Sequence, residues 1–192
     1  MKKLFGIRGI AYLGVLAAMG VVLAALRPVS LWDVRVSFTF VPIAVGAILF
    51  GPLPAGVLGA LIDVLGAILF PSGTFFPGFT LTAFLHGLIY GLFLWQKPGE
   101  TVPAPAEEGG LRGFLRRHRD LLRVICAVLV YLAVCSLGLN TLWISVLYGT
   151  PFLPSLLRRL VQAAVMGPVQ ILVLALLVPL LRRLRPRLLP GK

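Results

Sequence analysis

The sequence predicts an all-α integral membrane protein: one domain over 1–192, built from six transmembrane helices with both termini cytoplasmic. Three observations predict it. The 192 residues are 59% hydrophobic with a mean hydropathy of +1.00, and only 12% are charged, whereas soluble domains are about 25% charged and about 45–50% apolar. The apolar residues gather into runs approaching the 20 or so that a membrane helix needs. The charge is lopsided, with 18 Lys+Arg against 6 Asp+Glu, and it sits between and beside those runs, where membrane proteins carry topogenic charge. This composition excludes an ordinary cytosolic domain, a disordered tail and a disulfide-rich secreted scaffold. A net charge of +12 would suit nucleic acid, but its placement suits cytoplasmic loops, so no nucleic-acid partner is expected.

The first element is basic, then apolar. Met1-Lys2-Lys3 and Arg8 precede an apolar stretch from Gly9 to Leu26. It is long for a signal core and no small-x-small site closes it, so it reads as an uncleaved first helix. Arg27-Pro28 breaks it, and 28–36 reads as a loop. A short second span runs from about Val36 to Phe50, and Gly51-Pro52-Leu53-Pro54 turns the chain. The third span, about Ala55 to Phe70, holds one acid, Asp63. Residues 71–78 are a loop by their Pro and Gly punctuation, with an aromatic Phe75-Phe76. The fourth span, about Phe79 to Trp95, carries His86 and Tyr90.

Residues 97–120 change character. Pro, Gly and Glu give a flexible linker, and Arg112, Arg116, Arg117 and Arg119 suit a short amphipathic helix at the lipid surface. The fifth span starts near Leu121 and reaches Tyr148. After Gly149-Thr150-Pro151 the sixth runs from about Leu153 to Leu181, closed by Arg182, Arg183, Arg185 and Arg187. With the N-terminus inside, the cytoplasmic side holds 14 of the 18 basic residues, Arg123 at the start of the fifth span included. The other side holds Arg27, Arg35, Arg158 and Arg159. That asymmetry sets the orientation, and two inside ends require an even number of spans. Gly46–Phe50 and Gly66–Phe70 repeat the same five residues, but nothing else in the halves aligns.

No catalytic set is present. The chain lacks Gly-x-Ser-x-Gly, His-Glu-x-x-His, Cys-x-x-Cys and the phosphate-binding Gly-x-x-x-x-Gly-Lys. Two His, two Cys and six acids, most of the acids in the linker, form no metal-ligand spacing. Cys126 and Cys135, nine apart, are about 13 Å apart on a helix, beyond disulfide reach. An enzyme, a metal and a cofactor on this chain are therefore not expected. Nucleotide-driven work would come from another chain.

Polar residues within the spans are the binding candidates. On the sixth helix Arg159, Gln162, Met166 and Gln170 share one face, with Arg158 beside Gln162. This stripe lines an inward cavity, or its arginines snorkel to the headgroups. Asn140, Thr141, Trp143 and Tyr148 form a second polar-aromatic patch, which interhelical hydrogen bonds or an aromatic belt would also explain. His86 is either a packed membrane histidine or a ligand contact. Asp63 should be paired, hydrogen-bonded or protonated. Gly14-x-x-x-Ala18 and Gly20-x-x-x-Ala24 on the first helix would let another helix approach.

Val34 to Ala44, then Leu49-Phe50-Gly51-Pro52, resembles the substrate-binding S components of energy-coupling factor (ECF) transporters, in their folate branch. So do Phe70-Pro71 through Phe79-Thr80-Leu81, Gly87 through Gly91, Leu139-Asn140-Thr141-Leu142-Trp143, Leu147 through Phe152, and Arg159 with Met166, Pro168 and Gln170. The resemblance implies six helices and a site open to the outside, gated by the loops after helices one and three. It implies a membrane coupling subunit, which docks on Gly14 and Ala18, and two ATPase subunits that use ATP. It places the protein in the bacterial plasma membrane and its ligand among the vitamins. Two departures bear on an anionic ligand. Ala24-Ala25-Leu26 stands where a basic residue is common, and Gln162 where a Lys is common.

A folate fits the residues. Its flat, edge-polar pterin suits the amides of Asn140, Gln162 and Gln170, with Thr80 and His86 of the fourth span as further candidate contacts. Its glutamate tail suits the guanidinium groups of Arg35, Arg158 or Arg159. Phe75, Phe76, Trp143 and Tyr148 could close over the rings. An S component for another vitamin such as pantothenate, and a non-transport scaffold holding anionic lipid, are the alternative readings.

Overall fold

A computed structural model describes residues 7–25, 29–31, 34–70, 75–96 and 119–188. Among these there are six helices and one short ribbon. Helix α1 is Ile7–Ala25, strands β1 and β2 are Val29–Leu31 and Val34–Val36, and α2 is Phe40–Phe50. Helices α3 (Pro52–Leu69) and α4 (Pro77–Leu94) come next. Helix α5 is Arg119–Tyr148, π-helical over Leu132–Leu139. Helix α6 is Phe152–Leu188.

Four of these, α3 to α6, are long and apolar enough to cross a membrane. The apolar parts of α1 and α2 are shorter, Gly9–Ala25 and Phe40–Phe50. Six helices are therefore present where six were expected, and four have the length of a span.

The ribbon corrects the reading of 28–36 as a loop. Val29 pairs with Val36, Ser30 with Arg35 and Leu31 with Val34, antiparallel. The signal was present in the sequence: Val-Ser-Leu and Val-Arg-Val alternate apolar and polar with β-branched residues, the period-2 pattern of strands. Residues 97–118, which hold the expected linker and its Arg112–Arg117 segment, lie outside the described residues. So do 71–74. Arg119 and Asp120, read as linker, already belong to α5.

Local chemistry sets the breaks. Gly51 adopts φ +94° and is the single residue joining α2 to α3, a conformation that favours glycine. Pro52 and Pro77 sit in the first turns of α3 and α4, where a missing N–H costs nothing. Gly149, at φ +61°, ends α5 in the left-handed region.

Helix α4 is central and packs on α2, α3 and α5. It lies backbone to backbone on α3: a side chain at Gly59 would meet the Ala83 carbonyl, and one at Gly87 the Ala55 carbonyl. One apolar core joins α2, α4, α5 and α6 through Phe40, Ile48, Tyr90, Leu94, Val128 and Leu174. A second joins α1, α2 and α3 through Leu16, Ile43, Phe50, Leu58 and Ile62.

The end at which α4 stops and α5 begins is tied by polar contacts. Arg182 pairs with Asp120 and donates to the Leu94 carbonyl at 3.4 Å. With the Gln96 amide oxygen turned to the guanidinium groups, it accepts from Arg123 at 2.9 Å and from Arg182 at 3.2 Å. Three helices are thus joined at the end opposite the ribbon.

Candidate functional site

A cavity of about 120 Å³ lies between α2, α4, α5 and α6. Its rim is formed by Ser37 and Thr39 at the foot of the ribbon, their hydroxyls 3.1 Å apart. Its walls are His86 of α4, Tyr131 and Ser136 of α5, and Gln162, Met166 and Gln170 of α6. Gln170 is the nineteenth residue of α6, so the polar lining reaches about 27 Å down that helix at 1.5 Å per residue. Of the stripe read from the sequence on the sixth helix, Gln162, Met166 and Gln170 look onto one space, and Arg159 is not in its lining.

The floor is aromatic and polar together. The His86 ring stacks on Tyr131, centroids 3.9 Å apart at 21°. It meets Tyr90 edge-on at 4.4 Å and 80°. The Tyr90 hydroxyl donates to Gln170 Oε1 at 3.2 Å, and both residues are buried. Helical spacing explains the trio, since His86 and Tyr90 are one turn apart on α4 and face the start of the π-helical stretch of α5. His86 Nε2 is buried with no hydrogen-bond partner among the described residues. A buried donor or acceptor left unpaired costs about 1–3 kcal/mol, so such groups are few and concentrate where function needs them.

A second cluster stands at the outer end of α4, meaning the end nearer the ribbon. Trp143 donates its indole N–H to Thr82 Oγ1 at 3.1 Å. Its ring tilts against Phe76, centroids 5.5 Å apart at 53°, and Phe76 meets Phe79 edge-on at 6.1 Å. Thr82 in turn donates to the Gly78 carbonyl at 3.0 Å.

The sequence-predicted residues divide accordingly. His86, Gln162 and Gln170 share the cavity. Phe76 and Trp143 share the aromatic cluster. Thr80 lies elsewhere: its hydroxyl donates to Asp63 Oδ2 at 2.7 Å. This is the hydrogen bond that a carboxyl in a membrane helix demands. Asn140 is half-buried at the end of the π-helical stretch, and Arg159 is half-buried on α6 within electrostatic reach of Tyr131. Phe75, Tyr148 and Arg158 are exposed. Arg35 pairs through its backbone with Ser30, and its side chain lies outside the described residues. Sequence reasoning passed over Ser37, Thr39, Tyr131 and Ser136, which line the cavity, and Thr82, which holds Trp143. Hydroxyls in apolar runs give no periodic signal, and only the fold brings these together.

On α1 the two small-residue pairs have different surroundings. A side chain at Gly20 would run into Ile62 of α3, and Gly66 lies close to the Ala24 methyl. Gly14 has nothing within 4 Å of where a side chain would stand, and Ala18 is exposed. No group of three His, Cys, Asp or Glu side chains among the described residues could hold a metal ion.

Comparison with known proteins gives a consistent result. Residues 8–178 match the family described as the ECF transporter, substrate-specific component. Three curated relatives are named folate transporter FolT, two of them more than 30% identical to this chain. That of Clostridium novyi (strain NT) is 32% identical over 174 residues, covering 91% of this chain and 88% of the relative. That of Leuconostoc mesenteroides is 31% identical over 169 residues, covering 85% and 80%. Among solved structures, the crystal structure of FolT bound with folic acid superposes with a TM-score of 0.73 at 32% identity, over 91% of this chain and 94% of that one.

Proposed function

This chain belongs to the ECF transporter family as a substrate-specific component, a multi-pass protein of the bacterial plasma membrane, and from that premise we propose that it captures folate or a folate derivative from outside for ATP-driven uptake. The observation that carries the reading is the cavity floor, in a chain that resembles a FolT bound with folic acid over nine-tenths of its length. Stacked rings of His86 and Tyr131 offer a flat apolar face, and Gln162 and Gln170 offer amides at its edge. That pairing suits a pterin, which is flat and carries donors and acceptors around its rim.

The pterin enters first and rests at the floor. The glutamate tail then points back toward the ribbon, where Arg35, Arg158 and Arg159 lie on the segments bordering the opening. Guanidinium forks bind carboxylates bidentately. Phe75, Phe76, Trp143 and Tyr148 close over the rings at the outer end, and Asn140 and Thr80 support that closure.

The topology belongs to the same proposal. Six spans place both termini and residues 97–118 in the cytoplasm. The face of α1 bearing Gly14 and Ala18 receives the membrane coupling subunit, since small residues permit close helix approach. Two ATPase subunits on that coupling subunit use the ATP. This chain supplies selectivity and holds no cofactor of its own.

The test is direct. The purified chain is titrated with folate, 5-formyltetrahydrofolate and pantothenate while tryptophan fluorescence is followed. Saturable quenching by a folate alone, weakened by Arg159→Ala, supports the reading. Binding of pantothenate alone replaces the vitamin. No binding by folded protein overturns the assignment of these ligands.

A further inference from the structure

Eighteen residues make five full turns of an α-helix at 3.6 residues per turn. Val124 and Leu142, 18 apart on α5, would share a face if the helix were α throughout. They do not. Val124 is fully buried, whereas Leu142 is 44% exposed and Val146, one turn on, is 65% exposed. Thr141, beside it, is fully buried.

The cause lies between them. Leu132–Leu139 is π-helical, and the Asn140 N–H donates to the Cys135 carbonyl five residues back. Each extra residue taken into a turn makes the later residues lag by about 100°. The outer third of α5 has turned accordingly. Leu142 and Val146 leave the core face, and Trp143 comes round to α4, where it bonds Thr82 and meets Phe76. The same widening puts Ser136 on the cavity wall with Tyr131. In an α-helix two residues five apart lie about 140° apart around the axis.

Stretches of π-helix are rare and gather at functional sites. This one begins beside Tyr131, gives Leu132 and Ser136 to the cavity wall and ends one turn before Trp143. We infer that it is the element that shapes the ligand wall of α5: it makes Ser136 a ligand-contacting hydroxyl and positions Trp143 at the site's outer end. The ligand contact rests on the folate-capture reading. The register of the helix does not.

The register is measured without any ligand. Spin labels are placed at Thr141→Cys and Leu142→Cys in a Cys126→Ala, Cys135→Ala background, reconstituted into phospholipid vesicles. Molecular oxygen should relax the label at 142 several-fold more than the label at 141. The reverse order is that of an unbroken α-helix and overturns the inference. The contact is then measured by folate titration. Ser136→Ala should weaken binding about fivefold to tenfold, the loss of one hydrogen bond, while Ser136→Thr stays within about twofold because the hydroxyl is kept. Wild-type affinity in Ser136→Ala overturns the contact. Deleting the exposed Val134 returns one residue to the turn, and should abolish folate quenching of Trp143. If a folded deletion variant keeps that quenching, the positioning role fails. Should the deletion variant not fold, the labels and the Ser136 pair decide. If the wild type binds no folate, the capture reading fails and takes the Ser136 contact with it, while the labels still judge the register.

Discussion

Tyr90 and Gln170 allow stability and ligand capture to be separated, and a double-mutant cycle does it. Tyr90 is wholly buried on α4 and Gln170 is 4% exposed on α6. The Tyr90 hydroxyl donates to Gln170 Oε1 at 3.2 Å. Tyr90→Phe removes the donor and almost no volume, leaving the Gln170 oxygen without its partner. An unsatisfied buried polar group costs about 1–3 kcal/mol. Gln170→Leu makes the opposite error and strands the Tyr90 hydroxyl at a similar cost. The double variant replaces the pair by apolar groups of similar shape, which is close to neutral. Each single variant should therefore melt lower, by about 2–4 °C per kcal/mol for a chain of this size, and the double should recover most of that loss. The coupling from the cycle should be about 1–2 kcal/mol. Folate affinity should behave otherwise. Gln170→Leu and the double variant both lack the amide at the cavity floor, so both should bind about tenfold or more weakly, a loss of about 1.4 kcal/mol or more. The assays are thermal melting in detergent and fluorescence titration on the same samples. A double variant that recovers both stability and wild-type affinity would place Gln170 in the core and not in the site.

Other contacts give outcomes of their own. Thr80→Val should lower the melting temperature by a shift worth about 1–2 kcal/mol, because it removes the hydroxyl that solvates Asp63 within α3, and Asp63→Asn should cost less because an amide oxygen can still accept. Arg182→Ala should destabilise by about 1–2 kcal/mol and leave folate affinity unchanged. It breaks a partly buried pair far from the cavity, and Asp120 is 43% exposed and can be resolvated by water. Gly14→Leu or Ala18→Leu should keep folate binding yet lose co-purification with the coupling subunit, whereas Gly20→Leu should destabilise the chain by about 1–3 kcal/mol because its side chain meets Ile62.

The helices were readable because apolar runs and Pro/Gly breaks are local signals. Gly51, Pro52, Pro77 and Gly149 stop or start helices in the structure where they punctuate the sequence. The stripe on α6 was readable for the same reason: Gln162, Met166 and Gln170 are four apart, and α6 is α-helical through them. Helix α5 shows the limit. Extrapolating 3.6 residues per turn from Val124 sends Leu142 to the core, and no propensity marks Leu132–Leu139 as wider than its neighbours. Of the residues whose positions depend on that stretch, Ser136 was missed, and Trp143 was named as part of a polar-aromatic patch without its Thr82 partner. The ribbon was a different kind of miss. Its period-2 pattern was present, but at three residues a strand it was too short to stand out from a loop.

Helix α1 carries the last step. Its sequence offers two small-residue pairs, Gly14 with Ala18 and Gly20 with Ala24, and nothing local ranks them. Residues 14 and 20 are six apart, about 240° around the helix, so the pairs point to different neighbours. Helix α3 resolves the choice by taking one. Ile62 fills the space in front of Gly20, and Gly66 approaches Ala24. The Gly14 pair is left with open space before Gly14 and an exposed methyl at Ala18. Between two lipid-facing helices the hydrophobic effect adds little, and close packing of small residues is what drives association. A face left uncovered among the described residues, on a helix that contributes nothing to the cavity lining, allows a partner to bind without crowding the ligand. If that face receives the coupling subunit as proposed, Gly14→Leu should abolish assembly and spare capture.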